Sequence, residues 1–170
     1  MGTTGIEIER KFRLRALPDA GVLAANGAVP RRLVQVYLGG EPFGRRVRRI
    51  ERADGSVEHR LTRKERIHAY AFREEESVIE AAAYDALLAE ADPAMTPVRK
   101  TRWVVPHGDQ VLEIDDFEAP EGLVLLEVEL RSDDEAVTLP DWLGEWREVT
   151  GDPAYLNVNL ARRDGTVPPW

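Results

Sequence analysis

Glu7, Glu9 and Lys11 fall at every second position of a stretch whose intervening residues include Ile6, Ile8 and Phe12. In an extended strand alternate side chains share one face, so the three ionic groups sit together and the apolar ones sit opposite. Residues two apart on one face are about 6.6 Å from each other. Two carboxylates at that spacing can share one cation, and a lysine one step further can hold an anion beside it. The design recurs. Arg46 and Arg48 share a phase, as do Arg60, Thr62 and Lys64, then Lys100 and Arg102, Glu113 and Asp115, and Glu127 and Glu129. One such strand reads as a solvated face; six in one chain call for a shared polar surface.

The elements that would position these groups are mostly strands. Alternation marks 6–14, 32–38, 45–52, 57–64, 69–79, 98–105, 110–117 and 124–131. Asp54-Gly55 supplies the turn of a hairpin between the third and fourth. A short helix or loop is expected in 18–30. A helix is expected over 80–91, where Tyr84, Leu87 and Leu88 recur at helical spacing before Pro93. Short helices are expected in 140–163 and a loose end at 167–170. Eight strands with few helices predict an α+β chain: a closed or nearly closed antiparallel eight-stranded β-barrel with helices packed outside, one domain spanning 1–170 with its core at about 5–163.

Helices that need apolar partners place the apolar strand faces outward and the charged faces in a common lumen. Lys11, Arg46, Arg48, Lys64, Lys100 and Arg102 would then oppose Glu7, Glu9, Glu113, Asp115, Glu127 and Glu129. Buried charge without a partner is costly. A hard divalent cation, Mg²⁺ or Mn²⁺, suits the carboxylates, and a polyanion suits the cations. A triphosphate with its metal meets both needs. Strand 69–79 permits two registers; Glu74 and Glu76 form the pair preferred for the inside, against Arg73 and Glu75.

These motifs, with 61–64, 100–103, 112–117 and 126–130 in order, resemble the CYTH domain of the triphosphate tunnel metalloenzymes over nearly the whole chain. Residues 140–144 and 148–150 resemble the ending of its short bacterial members. The resemblance implies hydrolysis of a triphosphate, foremost inorganic tripolyphosphate. It implies metal ligands at Glu7, Glu9, Asp115, Glu127 and Glu129, with Glu74, Glu76 and Glu113 as further tunnel carboxylates. Lys11, Arg46, Arg48, Lys64 and Arg102 would clasp phosphates. Lys100 and Tyr37 resemble a dyad that activates water. Some members carry a further phosphate-binding lysine near the C-terminus; here Asn157 and Asn159 occupy that stretch. Alternatives are a class IV adenylate cyclase, a thiamine or nucleoside triphosphatase, and a non-catalytic polyphosphate- or nucleotide-binding module.

Composition bounds the rest. With 170 residues, 43% hydrophobic content and a net charge of −8, the chain is globular and ill suited to a nucleic-acid surface. The absence of cysteine excludes disulfides, zinc–thiolate sites and thiol nucleophiles. No apolar run approaches a membrane span, so a cytoplasmic protein is expected, acting on a small triphosphate with neither nucleic acid nor membrane as partner. His59, His68 and His107 lack metal-ligand spacing, and Gly39-Gly40 reads as a turn. Arg45, Arg49, Arg52, Arg63 and Arg66 read as a solvated fringe. Oligomeric state is not readable.

Overall fold

The alternating stretches become nine antiparallel strands in the computed structural model, which describes residues 2–40, 44–69, 71–162 and 167–170. They are β1 (Gly2–Leu14), β2 (Val29–Tyr37), β3 (Arg45–Arg52), β4 (Val57–Arg66), β5 (Ala71–Ile79), β6 (Val98–His107), β7 (Gln110–Ala119), β8 (Val124–Leu130) and the short β9 (Trp146–Glu148). Three short helices accompany them: α1 (Ala20–Ala25), α2 (Ala81–Leu88) and α3 (Asn157–Ala161). The strand order is β5-β4-β3-β2-β6-β7-β8-β1, and β5 pairs with β1, so eight strands close on themselves. Strand β1 does this by length. Its first half, through Ile8, pairs with β5, its second half pairs with β8, and β9 takes over the free edge at Phe12–Leu14. Closure removes the exposed sheet edges that invite aggregation.

The barrel is apolar on the outside. Val124, Leu126, Val128 and Leu130 of β8 point outward with Phe12, Leu14, Leu112 and Ile114. Leu23 of α1 and Leu143 of a 3-10 turn (Asp141–Leu143) cover them. On the opposite side Tyr84, Leu87 and Leu88 of α2 cover Val36, Val47 and Leu61. Burial of each such large side chain stabilises by about 1.5–3 kcal/mol, which is what turns the charged faces inward. Helix α2 is shorter than the expected 80–91. The backbone beyond Leu88 is drawn into pairing with the end of β2: Gly39 N–H donates to the Glu90 carbonyl and Asp92 N–H to that of Tyr37.

One end of the lumen is plugged. Tyr37, Phe117 and Leu125 point inward there and meet Val149, Tyr155, Leu160 and Ala161. Residues 149–161 thus form a floor at the end of the ring, while Leu143 stays with the outer layer. Residues 140–162 hold two 3-10 turns, β9 and α3, and Arg163 lies outside the described residues, as does Tyr70 of the expected strand 69–79. The tail expected to be loose is docked. The Arg147 guanidinium donates to the Pro169 carbonyl at 2.6 Å, Arg13 donates to that of Pro168, and the Trp170 ring lies under Arg13, Arg15 and Arg147. Pro168, Pro169 and Trp170 offer further acceptors and a π-face to guanidinium groups that otherwise share the single hydroxyl of Tyr155.

Candidate active site

A cavity of about 360 Å³ occupies the lumen above the floor and takes side chains from all eight barrel strands. Its walls differ in charge. Strands β1, β7 and β8 present Glu7, Glu9, Glu113, Glu127 and Glu129, whereas β2, β3 and β4 present Arg31, Arg46, Arg48, Arg52, Arg60 and Lys64. Several cross-strand neighbours carry like charge: Glu9 faces Glu129, Glu113 faces Glu127, Arg48 faces Arg60, and Arg31 faces Arg102. Direct opposition of like charges destabilises a sheet, so this pattern reflects something other than folding.

Ion pairs across the lumen offset part of that repulsion. Asp115 is fully buried and accepts from Lys100 at 2.5 Å and from Arg102 at 2.6 and 2.7 Å. Arg102 also reaches Glu127 at 2.7 Å and pairs with Glu113. Lys11 lies 2.8 Å from Glu127 and 3.7 Å from Glu9. Lys64 pairs with Glu7 and lies 3.4 Å from Glu9. Glu74 is 3.6 Å from Arg46, and Glu76 pairs with Arg48 and Arg60 while accepting from Thr62 at 2.9 Å. Glu74 and Glu76 both line the lumen, and Arg73 faces out, 3.9 Å from Glu65.

The balance is incomplete in two ways. Glu129 has no ion pair or hydrogen bond among the described residues. Burial, then Glu7, Glu113 and Glu74 around it, push its carboxyl above the usual range. On the other wall the buried Nε atoms of Arg46 and Arg48 have no acceptor. Burial and neighbouring Arg46 lower the Arg48 guanidinium's affinity for its proton. Burial, assisted by Arg102, also lowers Lys100, against the pull of Asp115. Burial opposes ionisation of Glu76, yet Arg48, Thr62 and Arg60 prevail and bring it down to about 2.

The expected site residues therefore converge on one lumen, with one separation. Among the described residues no hydrogen bond joins Tyr37 to Lys100, and the two line different cavities. The Tyr37 hydroxyl accepts from Gln35 Nε2 at 2.9 Å beside the Arg46 guanidinium, and burial raises its pKa. Lys100 is held by Asp115 over the Phe117 ring. Tyr37 instead lines a second cavity of about 490 Å³, with Lys11, Phe72, Leu156, Val158, Arg63 and Arg66. Glu9, Arg46, Lys64 and Asn157 border both cavities, and Asn157 Oδ1 is buried without a hydrogen-bond donor. Gly44 holds this boundary close. Its φ is +88°, and a Cβ there would lie 2.8 Å from the Lys64 carbonyl oxygen.

Sequence reasoning missed Arg31 and Arg52 as lining residues, whereas Arg60 lies on the charged phase it shares with Thr62 and Lys64. Arg52, read as part of a solvated fringe, shares the inward phase of Arg46 and Arg48, and Arg31 that of Gln35 and Tyr37. Phase alone would have found both. Among the described residues no three histidines, aspartates or glutamates form a ready-made metal cluster. No helix among the described residues is long and apolar enough to cross a membrane.

No family model matches the chain. An inorganic triphosphatase of Acetivibrio thermocellus is 42% identical over 66 residues, a stretch that is 38% of this chain and 41% of that protein's length. Two crystal structures of one protein, NE1496, align over nearly everything. The first, of a hypothetical protein, is 30% identical, covers 92% of this chain and 98% of its own, and has a TM-score of 0.58. The second, of an inorganic triphosphatase, is 29% identical with coverage of 96% and 100% and a TM-score of 0.57. PH1819 of Pyrococcus horikoshii, 18% identical with a TM-score of 0.55 over 76% of this chain and 81% of its own, shares the fold. The closed barrel, its charged lumen and the full-length likeness to NE1496 agree: the chain belongs to the CYTH family of the triphosphate tunnel metalloenzymes.

Proposed function

We propose that the protein hydrolyses a triphosphate, foremost inorganic tripolyphosphate, in the lumen with the aid of Mg²⁺ or Mn²⁺. The observation that carries this reading is the pair of buried, acceptor-less Nε atoms of Arg46 and Arg48 facing a wall of excess carboxylates. A folded protein keeps such groups where a ligand satisfies them. The names of the aligned relatives support the choice of reaction.

Triphosphatases of this family are metal-dependent in general, and the donor set suits a hard cation. Glu129 is unpartnered among the described residues, and the buried Oε2 of Glu74 accepts no hydrogen bond. Glu7, Glu9 and Glu129 would hold the ion, with Asp115 and Glu127 beside it once their cations turn to phosphate. Bound there, it would supply Lewis-acid polarisation of phosphoryl oxygen.

The chain's own groups do the remainder. Arg46, Arg48, Lys64, Lys11 and Arg102 orient the phosphoryl oxygens and stabilise charge that grows as the anhydride breaks. Lys100, with its lowered pKa, takes the proton of the attacking water, and Asp115 holds its ammonium. Tyr37 fixes Arg46 instead of acting as a base. A second reading, an organic triphosphate, draws on the apolar part of the second cavity at Phe72, Leu156 and Val158. Phosphate release from tripolyphosphate under metal titration, run beside cyclic AMP formation from ATP, tests both. Cyclic AMP without phosphate release from tripolyphosphate overturns the hydrolase.

A further inference from the structure

Arg31 stands on the inward face of β2, four residues from Gln35 and so about 13 Å further from the floor. Its cross-strand neighbours are Arg52 on β3 and Arg102 on β6, which sets three guanidinium groups in a row. Arg102 is answered by Asp115, Glu113 and Glu127, and Arg52 by Glu58 at 2.9 Å. Arg31 has no ion pair or side-chain hydrogen bond among the described residues. Arg60 on β4 faces Arg48 and reaches up to Glu58 at 2.5 Å, so it belongs with the arginines below this row. Between this row and the cradle lie Leu33 and Ile50, paired across β2 and β3 and buried. The apolar pair separates the lumen's arginines into a lower cluster at Arg46, Arg48 and Arg60 and an upper one at Arg31 and Arg52.

We propose that the upper cluster is an outer anion subsite that receives the fourth phosphoryl unit of a linear inorganic polyphosphate. The proposal rests on the triphosphatase reading and extends its substrate class. A chain of three phosphoryl units satisfies the lower cluster and the carboxylate-bound cation, and it leaves the upper arginines opposed to one another. One more unit brings another negative charge and further acceptor oxygens to a guanidinium that lacks a partner, a charge-assisted contact of the strong kind. Selection by chain length is the consequence.

Calorimetric titration of the full chain in EDTA, with tripolyphosphate and then tetrapolyphosphate, reads this without turnover. Tetrapolyphosphate should bind about tenfold more tightly, the gain expected of one good charged contact. In Arg31→Gln that ratio should shrink to within about twofold, and Arg52→Gln should shrink it part of the way. Equal affinity of the wild type for both chains overturns the subsite. So does an equal loss for both chains in the variants, which would mean general steering of anions. Binding of neither chain by a folded wild type, in EDTA and again with Mg²⁺ added, overturns the triphosphatase reading itself, a result distinct from the other two.

Discussion

Glu9 and Glu129 face each other in register across β1 and β8, yet only Glu9 is answered by cations, Lys64 at 3.4 Å and Lys11 at 3.7 Å. Burial and three neighbouring carboxylates hold Glu129 above its ordinary range, so the lumen is strained toward uptake of positive charge. Millimolar Mg²⁺ or Mn²⁺ should raise Tm, by the equivalent of about 2.7 kcal/mol when the ion is at a hundred times its Kd. Glu129→Gln should be at least as stable as wild type in EDTA and lose most of the metal-dependent rise. Thermal melts of both proteins with and without metal check this, and an unchanged rise in the variant would remove Glu129 from the site.

Lys100 is nearly inaccessible and sits between Asp115, which favours its charged form, and burial with Arg102, which disfavour it. A base must be neutral to accept a proton. The rate should therefore rise with pH through the lowered lysine pKa and level off above it. Lys100→Met should lower kcat by about 10²- to 10⁴-fold and abolish that rise. Asp115 keeps Arg102 as its partner, so the variant should fold. A pH–rate profile for tripolyphosphate hydrolysis is the check; an alkaline rise that persists in the variant assigns the base elsewhere.

Glu76 joins Arg48, Arg60 and Thr62, and its carboxyl is brought down to about 2. A depressed carboxylate contributes stability that is complete above its unfolded pKa and is lost as pH falls through the folded one. Wild-type Tm should accordingly fall between about pH 4.5 and pH 2. Glu76→Gln should flatten that slope and cost about 1–3 kcal/mol at neutral pH, because one of two guanidinium groups loses its acceptor oxygen and both lose the opposing charge. Melts across the acid range decide it, and identical slopes would place the acid sensitivity in other carboxylates.

Period-two alternation made the barrel legible, because inward and outward residues differ so sharply in chemistry on β1, β7 and β8. The hairpin at Asp54-Gly55 was equally plain, since Gly55 has the positive φ of +81° that Asp-Gly turns supply. What the sequence concealed was set by tertiary contacts. The floor built from Tyr155, Leu160 and Ala161 carries no alternation that distinguishes it from an outer helix. Helix α2 ends early because backbone groups near Tyr37 compete for its last residues. The separation of Tyr37 from Lys100 depends on which way a hydroxyl and an ammonium turn within a shared lumen, and strand phase is silent on that.

Tyr155 is the knot that fastens the tail to the floor. Its hydroxyl accepts from Arg147 at 2.6 Å and from Arg13 at 3.3 Å and donates to the Pro169 carbonyl at 3.1 Å. The Nε atoms of Arg13 and Arg147 are already buried without partners. Tyr155→Phe keeps the ring within the floor and the backbone carbonyl that accepts from Lys11 at 3.4 Å. It strips an acceptor from two guanidinium groups, which should destabilise by about 1.5–3 kcal/mol. For a chain of this size each kcal/mol lowers Tm by about 2–4 °C. Release of the tail should also increase acrylamide quenching of Trp170, which is 37% exposed and now lies under three arginines. Turnover of tripolyphosphate well below Tm should change little, since the hydroxyl touches neither cavity wall that holds phosphate. A variant with unchanged melting and unchanged quenching would show that the tail is held without Tyr155.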